Sequence, residues 1–90
     1  MPKIYELLGY QISIWSLENG EPIHVHVSKR RPSANATKIW LLSDGTFQIG
    51  HNASRIPQTD LSKIVHFLNY NAEEIKDFWI AYHGYEKYIK

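Results

Sequence analysis

Glu21-Pro22-Ile23-His24-Val25-His26-Val27 places two histidines at i and i+2 inside a β-branched run. In an extended strand side chains alternate between faces, so His24 and His26 share one side while Ile23, Val25 and Val27 share the other. Burial of the Ile/Val set fixes the register and holds both imidazoles on the opposite face, about 7 Å apart along the strand. The expectation is a half-buried strand with two rings reachable from solvent.

Upstream, Tyr10 to Leu17 alternates, with Tyr10, Ile12 and Ile14 on one face and Gln11, Ser13, Trp15 and Leu17 on the other. Glu18-Asn19-Gly20-Glu21-Pro22 supplies turn chemistry, because Asn-Gly suits the positive φ of a tight hairpin and Pro22 opens a strand. Downstream, Arg31 to Asn35 reads as a loop. Ala36 to Ser43 resumes a strand, with Thr37, Ile39 and Leu41 facing one way and Lys38, Trp40 and Leu42 the other. Asp44-Gly45 signals another turn, and Thr46-Phe47-Gln48-Ile49 is the returning strand.

From Thr59 the period changes from 2 to 3.6. Thr59 is the candidate N-cap of a first helix whose stripe is Leu61, Ile64, Val65 and Leu68. Asn71 with Glu74 three residues on resembles a capping box, starting a second helix from Ala72 to about His83 with Ile75, Phe78, Trp79 and Tyr82 on its apolar face. Gly84 stops it, and Tyr85 to Lys90 is expected to fray. Strands first and helices last give an α+β fold class: one small domain over residues 1–90, with an antiparallel sheet of about four strands and two C-terminal helices packed on one face.

Ninety residues suffice for a single modest core, and 43% hydrophobic with 21% charged residues argues for a globular chain. With no cysteine there is neither a disulfide framework nor a thiolate zinc site. The first residues carry no signal-like apolar stretch, and no segment approaches the ~20 apolar residues of a membrane span. A cytoplasmic location without membrane association is expected. The net charge of +1 is too weak for nucleic-acid binding by overall field, but Lys29-Arg30-Arg31 forms one local cationic cluster directly after the histidine strand. A solvated loop is its plain reading, and phosphate attraction is the functional one.

The Pro22-Ile23-His24-Val25-His26-Val27 strand, the Lys38-Ile39-Trp40-Leu41 strand, the helix opening Asp60-Leu61-Ser62-Lys63-Ile64 and the closing Trp79-Ile80-Ala81-Tyr82-His83-Gly84 together resemble the bacterial family catalogued as domain of unknown function 4160. The likeness covers nearly the whole chain. It implies a small α+β protein often encoded beside another short protein. Members have been described as the toxin of a bacterial toxin–antitoxin pair named for its dual histidines, which marks His24 and His26. The chain departs from the family in having Pro22-Ile23 where two prolines commonly precede the first histidine.

Two imidazoles with ordinary pKa values near ~6.5 can divide acid and base roles at neutral pH, as a metal-independent nuclease requires. On this reading His24, His26 and Lys38 are the candidate catalytic residues, with Lys38 offsetting phosphorane charge. Trp40 and Trp15 are the candidates to stack a base, and Arg30 and Arg31 to attract phosphate. RNA is the candidate substrate and an antitoxin-like small protein the expected partner; no cofactor is expected. The plain alternative is a polar strand face with satisfied hydrogen bonds. A metal site is a further alternative, with a third ligand from Glu21, Asp44 or His83. A protein-binding module anchored by Trp15, Trp40 and Tyr85 is the reading of a different class. His51 and His66 read as loop and helix-surface residues, and His83 as a helix C-terminal one. An unpaired edge strand would support a homodimer.

Overall fold

The computed structural model describes residues 3–14, 20–29 and 35–90. Five strands precede two helices: β1 (Lys3–Leu7), β2 (Tyr10–Ser13), β3 (His24–Lys29), β4 (Thr37–Leu41), β5 (Phe47–His51), α1 (Gln58–Tyr70) and α2 (Ala72–His83). The strands form one antiparallel meander in chain order, leaving β1 and β5 as its edges. The sheet has one strand more than the sequence reading gave. β1 closes onto β2 through Leu8-Gly9, both at positive φ (55° and 81°). That geometry suits a two-residue hairpin, but leucine is not a residue that announces it. The Asp44-Gly45 turn forms as expected, with Gly45 at φ 88° and Asp44 Oδ1 accepting from the Thr46 amide at 3.0 Å and its hydroxyl at 2.6 Å.

The alternation read from sequence carries through to burial in β4, where Thr37, Ile39 and Leu41 are buried and Lys38 and Trp40 half-buried. The apolar face gathers Ile12, Val25, Val27, Ile39 and Leu41 into one core with Leu61, Ile64, Leu68 and Ile75 of the helices. Both helices are tied to this side. Tyr10 donates to Asp60 Oδ2 at 2.7 Å, Phe47 N–H donates to Asn69 Oδ1 at 2.8 Å, and the Tyr5 ring meets Phe67 of α1 edge-on at 5.0 Å and Phe78 of α2 at 6.3 Å.

Three local expectations are corrected. α1 begins at Gln58 after Pro57, not at a Thr59 cap; the fixed φ of Pro57 and the carboxylate of Asp60 in the first turn serve that end. Asn71 makes no side-chain cap for α2. Its amide instead donates back to the Phe67 carbonyl at 2.8 Å, because the two helices are joined so tightly that Asn71 must terminate one while starting the other. The tail after α2 is held rather than frayed. Gly84, at φ 78°, turns the chain back so that Ile23 N–H donates to the Lys87 carbonyl at 2.8 Å, Tyr85 hydroxyl to the Glu21 carbonyl at 2.7 Å and Lys87 Nζ to the Gly20 carbonyl at 2.9 Å.

Pairing between β4 and β5 steps from Ile39↔Ile49 to Lys38↔His51, so Gly50 is an extra residue in β5. A Cβ there would fall 2.5 Å from Trp40 Nε1 and 3.2 Å from the Lys38 carbonyl oxygen, which reserves the position for glycine and seats the indole against the bulge.

Candidate active site

The second face of the sheet is assembled by register. Ser13 pairs with His26, His26 with Lys38, and Lys38 with His51, so one rung across β2, β3, β4 and β5 reads Ser-His-Lys-His. The neighbouring rung sets His24 opposite Trp40 and Trp40 opposite Gln48. Residues directly opposite in an antiparallel pair have Cβ atoms about 4.5–5.5 Å apart, so each rung is a row of adjacent positions. His24, His26, Lys38 and Trp40 therefore do come together as expected. Trp15, Arg30 and Arg31 lie outside the described residues.

The exposure of the pair overturns the expectation. His24 is 0% and His26 5% exposed. A strand with Ile and Val on one side and imidazoles on the other was read as half-buried, yet β3 is the middle strand and is covered on both faces. His24 is closed in by two indoles, Trp40 at 5.1 Å edge-on and Trp79 of α2 at 5.1 Å. Trp79 is itself fully buried and lies against His83 at 4.1 Å and Tyr85 at 6.0 Å. The last helix and the tail thus close over the start of β3, a tertiary contact that no local pattern announces.

Inside this enclosure the rings are ordered by hydrogen bonds. His24 Nδ1 lies 2.8 Å from the Pro22 carbonyl oxygen, and His24 Nε2 lies 3.1 Å from His26 Nε2. A carbonyl only accepts, so Nδ1 of His24 carries a hydrogen. With His24 neutral its Nε2 is bare and accepts from His26 Nε2–H; with His24 cationic the same contact runs the other way, into a neutral His26. Either way, one hydrogen occupies the space between the rings and the two cannot both be cations. The arrangement is a relay from a fixed backbone carbonyl through His24 to His26, with His24 as orienting group and His26 as the terminal one.

Lys38 stands beside this pair. Its ammonium lies 3.2 Å from Glu21 Oε1 and 4.9 Å from the centre of the Trp40 ring, held between a carboxylate and an indole face. Burial, above all, pushes the His26 pKa down to about 3; His24, Lys38 and His51 push the same way and Glu21 opposes them. His26 is accordingly neutral in the folded protein at pH 7.

The unfolded chain, with an imidazole pKa near ~6.5, binds a proton between about pH 6.5 and 3 that the folded chain refuses. Stability is fully present above pH 6.5 and falls as the pH drops through that window, with a limiting slope of about 1.4 kcal/mol per pH unit for one such group. Urea midpoints for the wild type should fall more steeply between pH 7 and 4 than those of His26→Gln. Parallel curves would show that His26 is not held neutral by burial.

Sequence reasoning missed Ser13 and His51 as neighbours of the pair, and Trp79 as its lid. The alternation had placed Ser13 on the polar face. Its position opposite His26 required the β2–β3 register, which the sequence does not encode locally because the connection is long. His51, read as a loop residue, is the last residue of β5. Of the alternative metal ligands, neither Glu21, Asp44 nor His83 joins the histidines: among the described residues no three His, Cys, Asp or Glu side chains converge.

A family model described as Domain of unknown function (DUF4160) matches residues 9–80. The chain belongs to this family. The matched span contains both rungs of the site and the Trp79 lid, and it leaves out β1 and the tail. No curated protein and no solved structure matches the chain. No helix among the described residues is long and apolar enough to cross a membrane.

Proposed function

We propose that this DUF4160 protein is the toxin-like member of a bacterial two-protein module and acts on phosphodiesters, RNA foremost, through proton transfer at His26. The observation that carries the reading is the 3.1 Å contact between the two Nε2 atoms, anchored by the 2.8 Å bond from His24 to the Pro22 carbonyl. A ring oriented by a second ring, itself oriented by the backbone, has the build of a catalytic base rather than of a solvated polar face. The pair is therefore unequal. His26 exchanges the proton, and His24 is a positioning residue that orients the His26 ring through their Nε2–Nε2 contact.

Lys38 supplies the charge. Its partner Glu21 is one-third exposed and Lys38 about one-fifth, and a pair so exposed contributes ~0–1 kcal/mol, so an incoming phosphate can displace the carboxylate at little cost. That exchange brings an anion beside His26, reverses part of the electrostatic push from Lys38 and raises the imidazole's basicity where it is needed. Trp40 adjoins both His24 and Lys38 and offers the face on which a base would stack once the site opens.

A second reading, a non-catalytic protein-binding module, draws on a different surface. An open groove of about 370 Å³ runs between β5 and α1, lined by Ile49, Leu61 and Val65 with Gln58, Ser62, His66 and Asn69. None of these carries a fixed charge, the composition of a protein interface rather than of a nucleic-acid one. Induced expression of the chain alone and beside its genomic neighbour separates the readings. The expected result is growth arrest with fragmented cellular RNA for the chain alone, relieved by the neighbour. Arrest with intact RNA selects the binding module, and no arrest at all removes the toxin reading.

A further inference from the structure

Ser13 carries a hydroxyl that the fold has buried and left unused. The residue is 1% exposed, and its Oγ has no hydrogen-bond partner. A buried hydroxyl without a partner costs free energy that alanine would not, and such groups in native proteins call for a specific reason. Ser13 stands directly opposite His26 in the β2–β3 register, and Lys38 stands opposite His26 on its other side. The rung therefore sets in sequence a hydroxyl, an oriented imidazole and a cation, with His24 and the Pro22 carbonyl behind the imidazole.

We propose that Ser13 is the nucleophile of this site, attacking phosphorus in a phosphodiester with His26 as its base and Lys38 as the stabiliser of the developing charge. The inference rests on the phosphodiester reading above and deepens it. An Oγ lone pair forms the new bond to phosphorus while the hydroxyl proton passes to His26. The bond from phosphorus to the leaving alkoxide breaks, and that alkoxide receives the proton from His26. Water then attacks the phosphoseryl diester, gives its proton to His26, and Ser13 Oγ leaves and regains that proton. The products are an alcohol and a phosphomonoester, and the protein is restored.

A nucleophile supplied by the protein has no need of the ribose 2′-hydroxyl. The wild type should therefore cleave a 2′-deoxy phosphodiester at a rate within about tenfold of its ribose counterpart and leave no 2′,3′-cyclic ends. An alkyl p-nitrophenyl phosphonate should add to Ser13 with release of p-nitrophenol, located by peptide mass mapping. The adduct should be absent in Ser13→Ala and form at least about tenfold more slowly in His26→Gln. Ser13→Ala should melt no lower than wild type, since it removes the orphaned hydroxyl, yet lose growth arrest. Arrest by Ser13→Ala, cyclic ends, or failure of the phosphonate to mark Ser13 would overturn the assignment while leaving His26 chemistry standing. Loss of arrest in the wild type with the Ser13 adduct intact would remove the toxin reading and keep the nucleophile.

Discussion

Trp79→Ala is expected to destabilise the protein by about 3–5 kcal/mol, a large share of the ~5–13 kcal/mol that a domain of this size possesses. The side chain is fully buried, and its indole is packed against His24, His83 and Tyr85. Removing it opens a cavity at the junction of α2, the tail and the start of β3. It also takes away one of the two indoles that enclose His24. The variant should therefore unfold at much lower urea. In its folded fraction His24 should react with diethyl pyrocarbonate far faster than in the wild type. Trp79→Phe, which keeps most of the volume and removes the partnerless Nε1–H, should recover more than half of the loss. A Trp79→Ala protein with wild-type stability would show that the helix does not close over β3.

The second large effect concerns activity. His26→Gln should reduce phosphodiester cleavage by about 10²–10⁴-fold, the usual contribution of a positioned acid–base group, and abolish growth arrest. Glutamine is chosen because its amide can still donate to His24 Nε2, so the enclosed pair keeps a partner and the fold is spared an orphaned nitrogen. His24→Gln should be milder, because its ring acts through His26, and it should shift the pH profile of the residual activity rather than remove it. Equal losses with an unshifted profile would make the two rings equivalent partners and retire the relay. Arrest by a folded His26→Gln protein would end the proposal that this ring performs the chemistry.

Burial and chemistry are in tension at this site. A neutral, buried imidazole with its pKa driven to about 3 is a weak base, so on the proposed reading the enclosed arrangement is the resting one. On the proposed reading, negative charge arriving beside Lys38 would favour a protonated His26 and oppose the push of the lysine.

Much of the architecture was legible in the residues themselves. The alternation of Ile23, Val25 and Val27 against His24 and His26, and of Thr37, Ile39 and Leu41 against Lys38 and Trp40, assigned every one of these side chains to its observed face, because strand period is a local property. The Leu61-Ile64-Leu68 and Ile75-Trp79 stripes identified both helices, and Gly84 the end of the second. The Leu8-Gly9 hairpin escaped because a leucine at positive φ is held there by strand pairing and not by its own preference. The tail escaped because its bonds run to main-chain atoms of residues distant in sequence.

The amino-acid order alone thus settled which way each side chain points, since pleat and helical period act between near neighbours. Tertiary structure alone decided what each face meets: that Trp79 closes over His24, and that Ser13, His26, Lys38 and His51 fall on one rung. Those outcomes depend on the register of β2, β3 and β4 across their long connections, on the bulge at Gly50 and on where a helix comes to rest, and these are fixed by the packing of the whole core rather than by any stretch of chain within it.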